Sequence, residues 1–335
     1  MTSRRSGQGN PAQGFPGQDN VPAPLQLDPL LLGASLYTPA TRPDLADLGN
    51  GDKRHGGVPD VSPHSLIYCL EDAVRSQDLP LALDRLREAL PQLRAGSGPL
   101  RFVRVRDPRT LEAVLNMNGW QSLHGFVLPK STRRTLRDYL GLLPPGAAIM
   151  PTLETREVFS QRQMESLRDF LLDSGLSRRI LTLRLGGNDL LQLLSLRRVP
   201  GQTVHEGPLA QTVQMLIGTF LPWGFGLSSP VYEVFSDPAT LRRELKQDLE
   251  RGLMGKTVIH PCQIQVVADG YRVNPQQLQQ ARAILEPDAG AVFALDGAMC
   301  EPTTQRGWAE RVLRRSQVYG VQDAVEVQEE NAQGG

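Results

Sequence analysis

The 335-residue chain balances 36 lysines and arginines against 36 aspartates and glutamates, a formal net charge of zero, so no overall field draws it to nucleic acid or to an acidic membrane surface. It is long enough to bury a large core, and it exceeds the usual compact domain unless the fold is a barrel of about 250 residues. Three cysteines without paired spacing, Cys69, Cys262 and Cys300, argue against a disulfide framework; with no apolar run of roughly 20 residues and no charged-then-apolar N-terminus, the expected location is the cytoplasm.

Residues 1–29 are rich in Gly, Pro, Gln and Ser and read as a flexible arm, and residues 323–335 as a polar, acidic tail. Between them, apolar and β-branched runs predict eight strands: Leu31 to Tyr37, Leu66 to Leu70, Leu100 to Val105, Gly125 to Leu128, Ala148 to Leu153, Ile180 to Leu185, Val231 to Phe235 and Thr257 to His260. Each is followed by a helical pattern, such as Leu81 to Leu93 or Leu241 to Leu253. Strands alternating with helices imply a parallel sheet, and eight units imply a closed (β/α)8 TIM barrel, here over residues 30–290. No Gly-x-Gly-x-x-Gly follows the first strand, so a dinucleotide-binding fold lacks its fingerprint. Residues 291–322 add a strand, Ala291 to Ala294, and a helical extension, Thr304 to Tyr319, which is expected to pack on a second subunit of a homo-oligomer, a trimer or hexamer.

The active site of such a barrel lies at the C-terminal ends of its strands. Standing there are Glu71 and Asp72, Arg104 and Arg106, Lys130, Glu154, Asp189 and His260. Glu154 and Asp189 each end an apolar run, and between them Phe159, Met164, Leu167, Phe170 and Leu171 recur at helical spacing. Two carboxylates at the same end of parallel strands suit a hard divalent cation such as Mg²⁺. The alternative is that both cap or open helices. Asp107 and Asp237, each directly before a proline, read as helix caps. Arg104 and Arg106 share a face, opposite Val103 and Val105.

The ordered motifs resemble the HpcH/HpaI aldolase and citrate lyase β-subunit family, in its citrate-lyase-like branch. They are Leu36-Tyr37-Thr38-Pro39-Ala40-Thr41-Arg42-Pro43, Leu70-Glu71-Asp72-Ala73-Val74, Val103-Arg104-Val105, Val127-Leu128-Pro129-Lys130, Leu153-Glu154-Thr155, Gly187-Asn188-Asp189-Leu190 and Gly255-Lys256-Thr257-Val258-Ile259-His260-Pro261-Cys262-Gln263.

The resemblance implies a Mg²⁺-dependent carbon–carbon lyase or aldolase acting on an oxo acid or acyl-thioester through a metal-stabilised enolate. By carry-over, Glu154 and Asp189 hold the metal and Arg104 faces the oxygen that gains charge, while Glu71 and Asp72 orient waters on the metal. Lys130, Arg106 and His260 are expected at the substrate, Arg106 as a second cation suited to a phosphate or carboxylate, with an outward pairing to a surface acid as its alternative. Two departures stand out. Cys69 replaces an aspartate, and Met299-Cys300-Glu301 stands where the family places an aspartate that enters the neighbouring subunit's site, so Glu301 is the expected counterpart with a longer reach. They motivate one alternative to an enzyme, a metal-binding, non-catalytic or regulatory barrel; a second, an interaction subunit of a larger lyase assembly with the flexible arm as tether, follows from the resemblance to citrate lyase β-subunits.

Overall fold

The computed structural model describes residues 27–52 and 62–323, so nearly all of the expected arm and tail lie outside it. Eight parallel strands run in order around a ring: β1 (Ala34–Pro39), β2 (Ser65–Cys69), β3 (Leu100–Arg104), β4 (Gly125–Leu128), β5 (Ala148–Leu153), β6 (Leu183–Leu185), β7 (Leu227–Ser228) and β8 (Lys256–Val258). Neighbours pair in sequence order and β8 pairs with β1. Between β7 and β8 the ring closes on the single bridge Ser229–Lys256, flanked by bonds from Ser229 N–H to Gly255 O and from Met254 N–H to Leu227 O, each 3.0 Å. This is the expected TIM barrel.

The helices are α1 (Leu45–Asn50), α2 (Leu79–Ala89), α3 (Pro108–Leu115), α4 (Arg133–Leu140), α5 (Gln161–Asp173), α6 (Gly187–Leu193), α7 (Ala210–Phe220), α8 (Pro238–Glu250), α9 (Cys262–Gly270), α10 (Pro275–Leu285) and α11 (Pro302–Tyr319). Among the described residues no helix is long and apolar enough to cross a membrane. Side chains alternate across each strand, so Leu66, Val103, Phe126, Ile149 and Leu183 pack outward against helices, while Ile67, Phe102, Val127 and Met150 fill the barrel. Asp107 and Asp237 cap α3 and α8 as expected, accepting from Thr110 N–H at 2.8 Å and Thr240 N–H at 3.0 Å.

Strand β7 corrects the sequence expectation. Val231 to Phe235 form no strand; two residues, Leu227–Ser228, do. Tyr232, the buried residue of that run, instead donates its hydroxyl to Asp237 at 2.8 Å and lies 5.3 Å beneath the Arg198 guanidinium. The long β6–β7 connection is pinned to α8 by buried charge. Arg198 Nη1 and Val204 N–H both meet Glu244 Oε2 at 2.6 Å, and His205 Nε2 lies 2.7 Å from Asp248 Oδ1. From β8, the fully buried Lys256 Nζ reaches Glu244 at 2.5 Å and Asp248 at 3.1 Å.

The expected extra strand is half of an antiparallel hairpin, Phe293–Leu295 with Ala298–Cys300, turned at Asp296 (φ 51°) and Gly297 (φ 75°). α10 and α11 share a small core of Val273, Leu278, Ile284, Cys300 and Val312. The buried face of the terminal helix is thus covered within its own chain, and Tyr319 and Arg314 tie α11 back to Leu30 and Asp28.

Candidate active site

Parity and strand length place the charges. On β3, Phe102 points into the barrel, so Arg104, two residues on, also points inward at the C-terminal end; Glu154 follows from Met150 and Thr152 on β5 in the same way. Their meeting is direct. Arg104 Nη2 lies 2.7 Å from Glu71 Oε2, 3.0 Å from Asp72 Oδ2 and 3.1 Å from Glu154 Oε1. Lys130 Nζ pairs with Glu71 and stands 3.7 Å from Asp72 and 4.0 Å from Asp189. The Lys130 backbone is left-handed (φ 47°), and its N–H donates to Glu154 Oε1 at 2.7 Å.

Asp189 sits in the first turn of α6, while Glu154 caps no helix, so the alternative reading holds for position at one acid only. Gly186, directly before α6, gives Glu154 its room: a methyl group there would collide with the Glu154 Cβ and Oε2. The cluster grades from floor to rim, with Glu154 3% exposed, Glu71 and Arg104 buried, and Asp72 and Lys130 half exposed.

Electrostatics follow from that gradient. Burial pushes the Glu154 carboxyl up to about 7, with the charge of Asp189 adding to the rise and Arg104 opposing it. Burial also raises Asp189, helped by Asp72. Glu71 is raised by burial, whereas at Asp72 burial is outweighed by Glu71, Arg104 and Lys130, which hold it down. Burial works against the Arg104 charge, but Tyr37, Glu154 and Glu71 outweigh it and raise its pKa. Four carboxyl groups thus face two cations, so two negative charges are unmatched when all four are ionised, and the raised Glu154 and Asp189 reflect that excess together with burial.

That donor set fits Mg²⁺: the ligands on offer are all oxygens, and one divalent ion would match the surplus charge. Among the described residues no three acidic, His or Cys side chains converge as a ready-made shell. Mg²⁺ does not need one, because it keeps several waters and binds through one or two carboxylates plus its substrate.

Three sequence-named residues lie elsewhere. Arg106 neither faces the cluster nor pairs with a surface acid. Its guanidinium donates to the carbonyls of Leu70 (3.3 Å), Glu71 (3.4 Å) and Val74 (2.6 Å) and to Ser76 Oγ (2.9 Å), bracing the loop that carries Glu71 and Asp72. His260 is exposed, stacked 4.7 Å from Phe235 with Nδ1 3.0 Å from Cys262 Sγ, because β8 ends two residues earlier than expected. Glu301 stands before α11 and accepts from Thr304 Oγ1 at 3.0 Å, and none of its bonds reaches the Arg104 cluster.

Tyr37 and Arg184 are neighbours of the cluster not singled out from the sequence. Two guanidiniums stand over the Tyr37 ring, with Arg104 Cζ 5.9 Å and Arg184 Cζ 5.4 Å from its centre. Arg184 is buried inside the barrel and donates to Thr257 Oγ1 at 2.6 Å. A charge between Leu183 and Leu185 in a short strand was its available signal.

A family model of C–C bond lyases of the TIM-barrel fold matches residues 26–321. The chain belongs to this C–C bond lyase family. The resemblance read from the motifs is thereby borne out at family level. This C–C bond lyase family member is 23% identical, over 72% of its length and 82% of the relative's, to a (3S)-malyl-CoA thioesterase of Cereibacter sphaeroides. It is similar in fold to the CitE protein of Mycobacterium tuberculosis in complex with magnesium, acetoacetate and coenzyme A, with TM-score 0.62, 22% identity and coverage of 85% and 98% of the two chains. It is also similar to the citrate lyase β subunit of M. tuberculosis complexed with oxaloacetate and magnesium, with TM-score 0.53, 21% identity and coverage of 72% and 99%.

Proposed function

We propose that the protein is a Mg²⁺-dependent carbon–carbon lyase or aldolase that cleaves or forms a hydroxy acid or hydroxyacyl thioester. The observation that carries this reading is the single guanidinium of Arg104 meeting three carboxylates whose surplus charge suits one divalent ion. Mg²⁺ held by Glu154 and Asp189 would supply a Lewis acid for the carboxylate and carbonyl oxygens of the substrate.

The chain's own residues do the rest. Arg104, fixed by Glu71 and Glu154 in a buried floor, presents positive charge where an oxygen becomes negative as the bond breaks, with no reorganisation at that moment. Glu71 and Asp72 orient Arg104 and Lys130, and Arg106 keeps their loop in shape. Half-exposed Lys130 meets the substrate at the rim. The malyl-CoA thioesterase and the coenzyme A complex support an acyl thioester as substrate, and the oxaloacetate complex supports an oxo acid. Glu301 enters this reading only from a second copy of the chain in a homo-oligomer. Three free cysteines accord with a cytoplasmic location.

The test is thermal melting with Mg²⁺ plus oxalate or pyruvate, with Glu154→Ala and Asp189→Ala beside wild type. Wild type alone should be stabilised, by an amount set by ligand concentration over Kd. No response from wild type would overturn the metal site. A response without turnover of hydroxyacyl thioesters and 4-hydroxy-2-oxo acids would favour a non-catalytic barrel, the alternative that buried Cys69 motivates.

A further inference from the structure

Resting on the reading of Glu154 and Asp189 as the reaction centre, we infer that a basic cavity beside it receives a phosphate-bearing arm of the substrate. The cavity, about 630 Å³, is lined by Lys130, Arg133, Arg134 and Arg137 from the end of β4 and α4, and by Glu157 and Met164 after β5. Lys130 belongs to both sites, since its ammonium also pairs with Glu71. A ligand seated in the cavity therefore borders the carboxylate cluster.

The sequence of α4, Arg-Arg-Thr-Leu-Arg-Asp-Tyr-Leu, sorts its faces. Leu136 and Tyr139 are buried against the barrel, which leaves Arg133, Arg134 and Arg137 exposed. Among the described residues no carboxylate forms an ion pair with any of the three. Two are held in place: Arg133 and Arg137 stand 5.9 and 5.5 Å from the Phe170 ring centre, and Arg133 Nη1 donates to Ser166 Oγ at 3.3 Å. Glu157 is the single acid in the lining, so the cavity carries a clear excess of positive charge.

The adjoining cavity, about 410 Å³, shares Arg133 but sets Glu165, Asp169 and Asp173 against Arg133 and Arg162. An anion is directed to the first cavity and away from the second.

A phosphate fits better than a further carboxylate. The substrate carboxylate is already served by the metal site and Arg104, whereas several guanidinium forks beside an ammonium suit a group carrying about two charges and three oxygens. The volume exceeds that of a lone phosphate and falls in the range that holds a small organic body as well. Barrels commonly bind phosphate beside strands seven and eight. Here the exposed Phe235, Ile259 and His260 stand there, the side chain of the nearby Arg198 is buried and already paired with Glu233 and Glu244, and the exposed guanidiniums of α4 gather beside β4 instead.

The experiment is calorimetric titration of the full chain with inorganic pyrophosphate at low ionic strength, without added Mg²⁺. Wild type should bind, with affinity falling as salt rises. The double variant Arg134→Gln/Arg137→Gln, altered only at exposed positions, should bind at least tenfold more weakly, while Arg162→Gln in the neighbouring cavity should match wild type. Absence of binding by wild type, or equal loss in Arg162→Gln, overturns the assignment. The double variant should keep the wild-type melting response to Mg²⁺ plus oxalate, so failure of the cavity is distinguishable from failure of the metal site. Coenzyme A and a pentose phosphate run as competitors identify the source of the phosphate: displacement of pyrophosphate by either supports the cavity, and displacement by neither overturns it.

Discussion

Glu154→Gln keeps the shape of a side chain that is 3% exposed and removes its charge. In wild type, burial and then the neighbouring Asp189 lift this carboxyl from 4.5 to about 7 against the pull of Arg104. Because the folded value is the higher one, the native protein keeps a proton that the unfolded chain releases. The associated stability is fully present below pH 4.5 and is lost as pH rises through 7. Integrated between pH 5 and pH 8, this amounts to about 2–3 kcal/mol. Glutamine does not titrate, so the stability difference between variant and wild type should shift by that amount in the variant's favour, whatever constant offset the altered contact to Arg104 introduces. Urea unfolding in the presence of a chelator, repeated at several pH values from 5 to 8, measures it. A difference that stays flat within about 0.5 kcal/mol across that range would refute the assignment of surplus negative charge to the barrel mouth. Adding Mg²⁺ at pH 8 should then stabilise wild type and leave the variant unmoved.

Gly186→Ala should displace the Glu154 carboxylate, cost about 1–3 kcal/mol in urea unfolding and abolish the Mg²⁺-dependent rise in Tm. Lys256→Met leaves Glu244 and Asp248 buried without their shared cation, so a loss of about 3–5 kcal/mol is expected from the same measurement, towards the lower end because Arg198 and His205 remain. Arg104→Lys keeps the charge, but its shorter side chain does not bring the ammonium to the point where Nη2 meets three carboxylates, and kcat in a thioester or oxo-acid cleavage assay should fall about 10²- to 10³-fold with native Tm retained within a few degrees.

The elements legible in the sequence were those whose signal is local. Gly125–Leu128 and Ala148–Leu153 have the bounds their apolar runs indicate, and Asp107 and Asp237 cap helices as an acid before proline should. Leu227–Ser228 was not legible, because two residues carry no periodicity, while the alternation in Val231 to Phe235 arises from Tyr232 packing beneath Arg198 rather than from a ladder. The hairpin after Gly290 had a signal in Asp296-Gly297, the pair that suits a tight turn, yet only its first strand was anticipated. At the mouth, alternation along β3 and β5 brought Arg104 and Glu154 together, as their positions in the motifs imply. Arg106 shares the parity of Arg104 and still turns away, since the strand has ended and three loop carbonyls compete for its guanidinium. A cavity assembled from two connections, as between α4 and the segment after β5, leaves no mark in either segment alone.

The ring of strands is weakest where β7 meets β8, a seam with one bridge in place of a ladder. Lys256, Glu244 and Asp248 fasten that seam from behind, and the same acids grip Arg198, Val204 and His205 of the overlying connection. The rim of the barrel on that side therefore behaves like a clasped cuff. The stretch between Arg198 and Val204 adds ties of its own to α8, from Arg243 Nη2 to Gly201 O and from Thr203 Oγ1 to Gln247 Oε1, each 2.6 Å, so that loss of an anchor loosens cover and wall together.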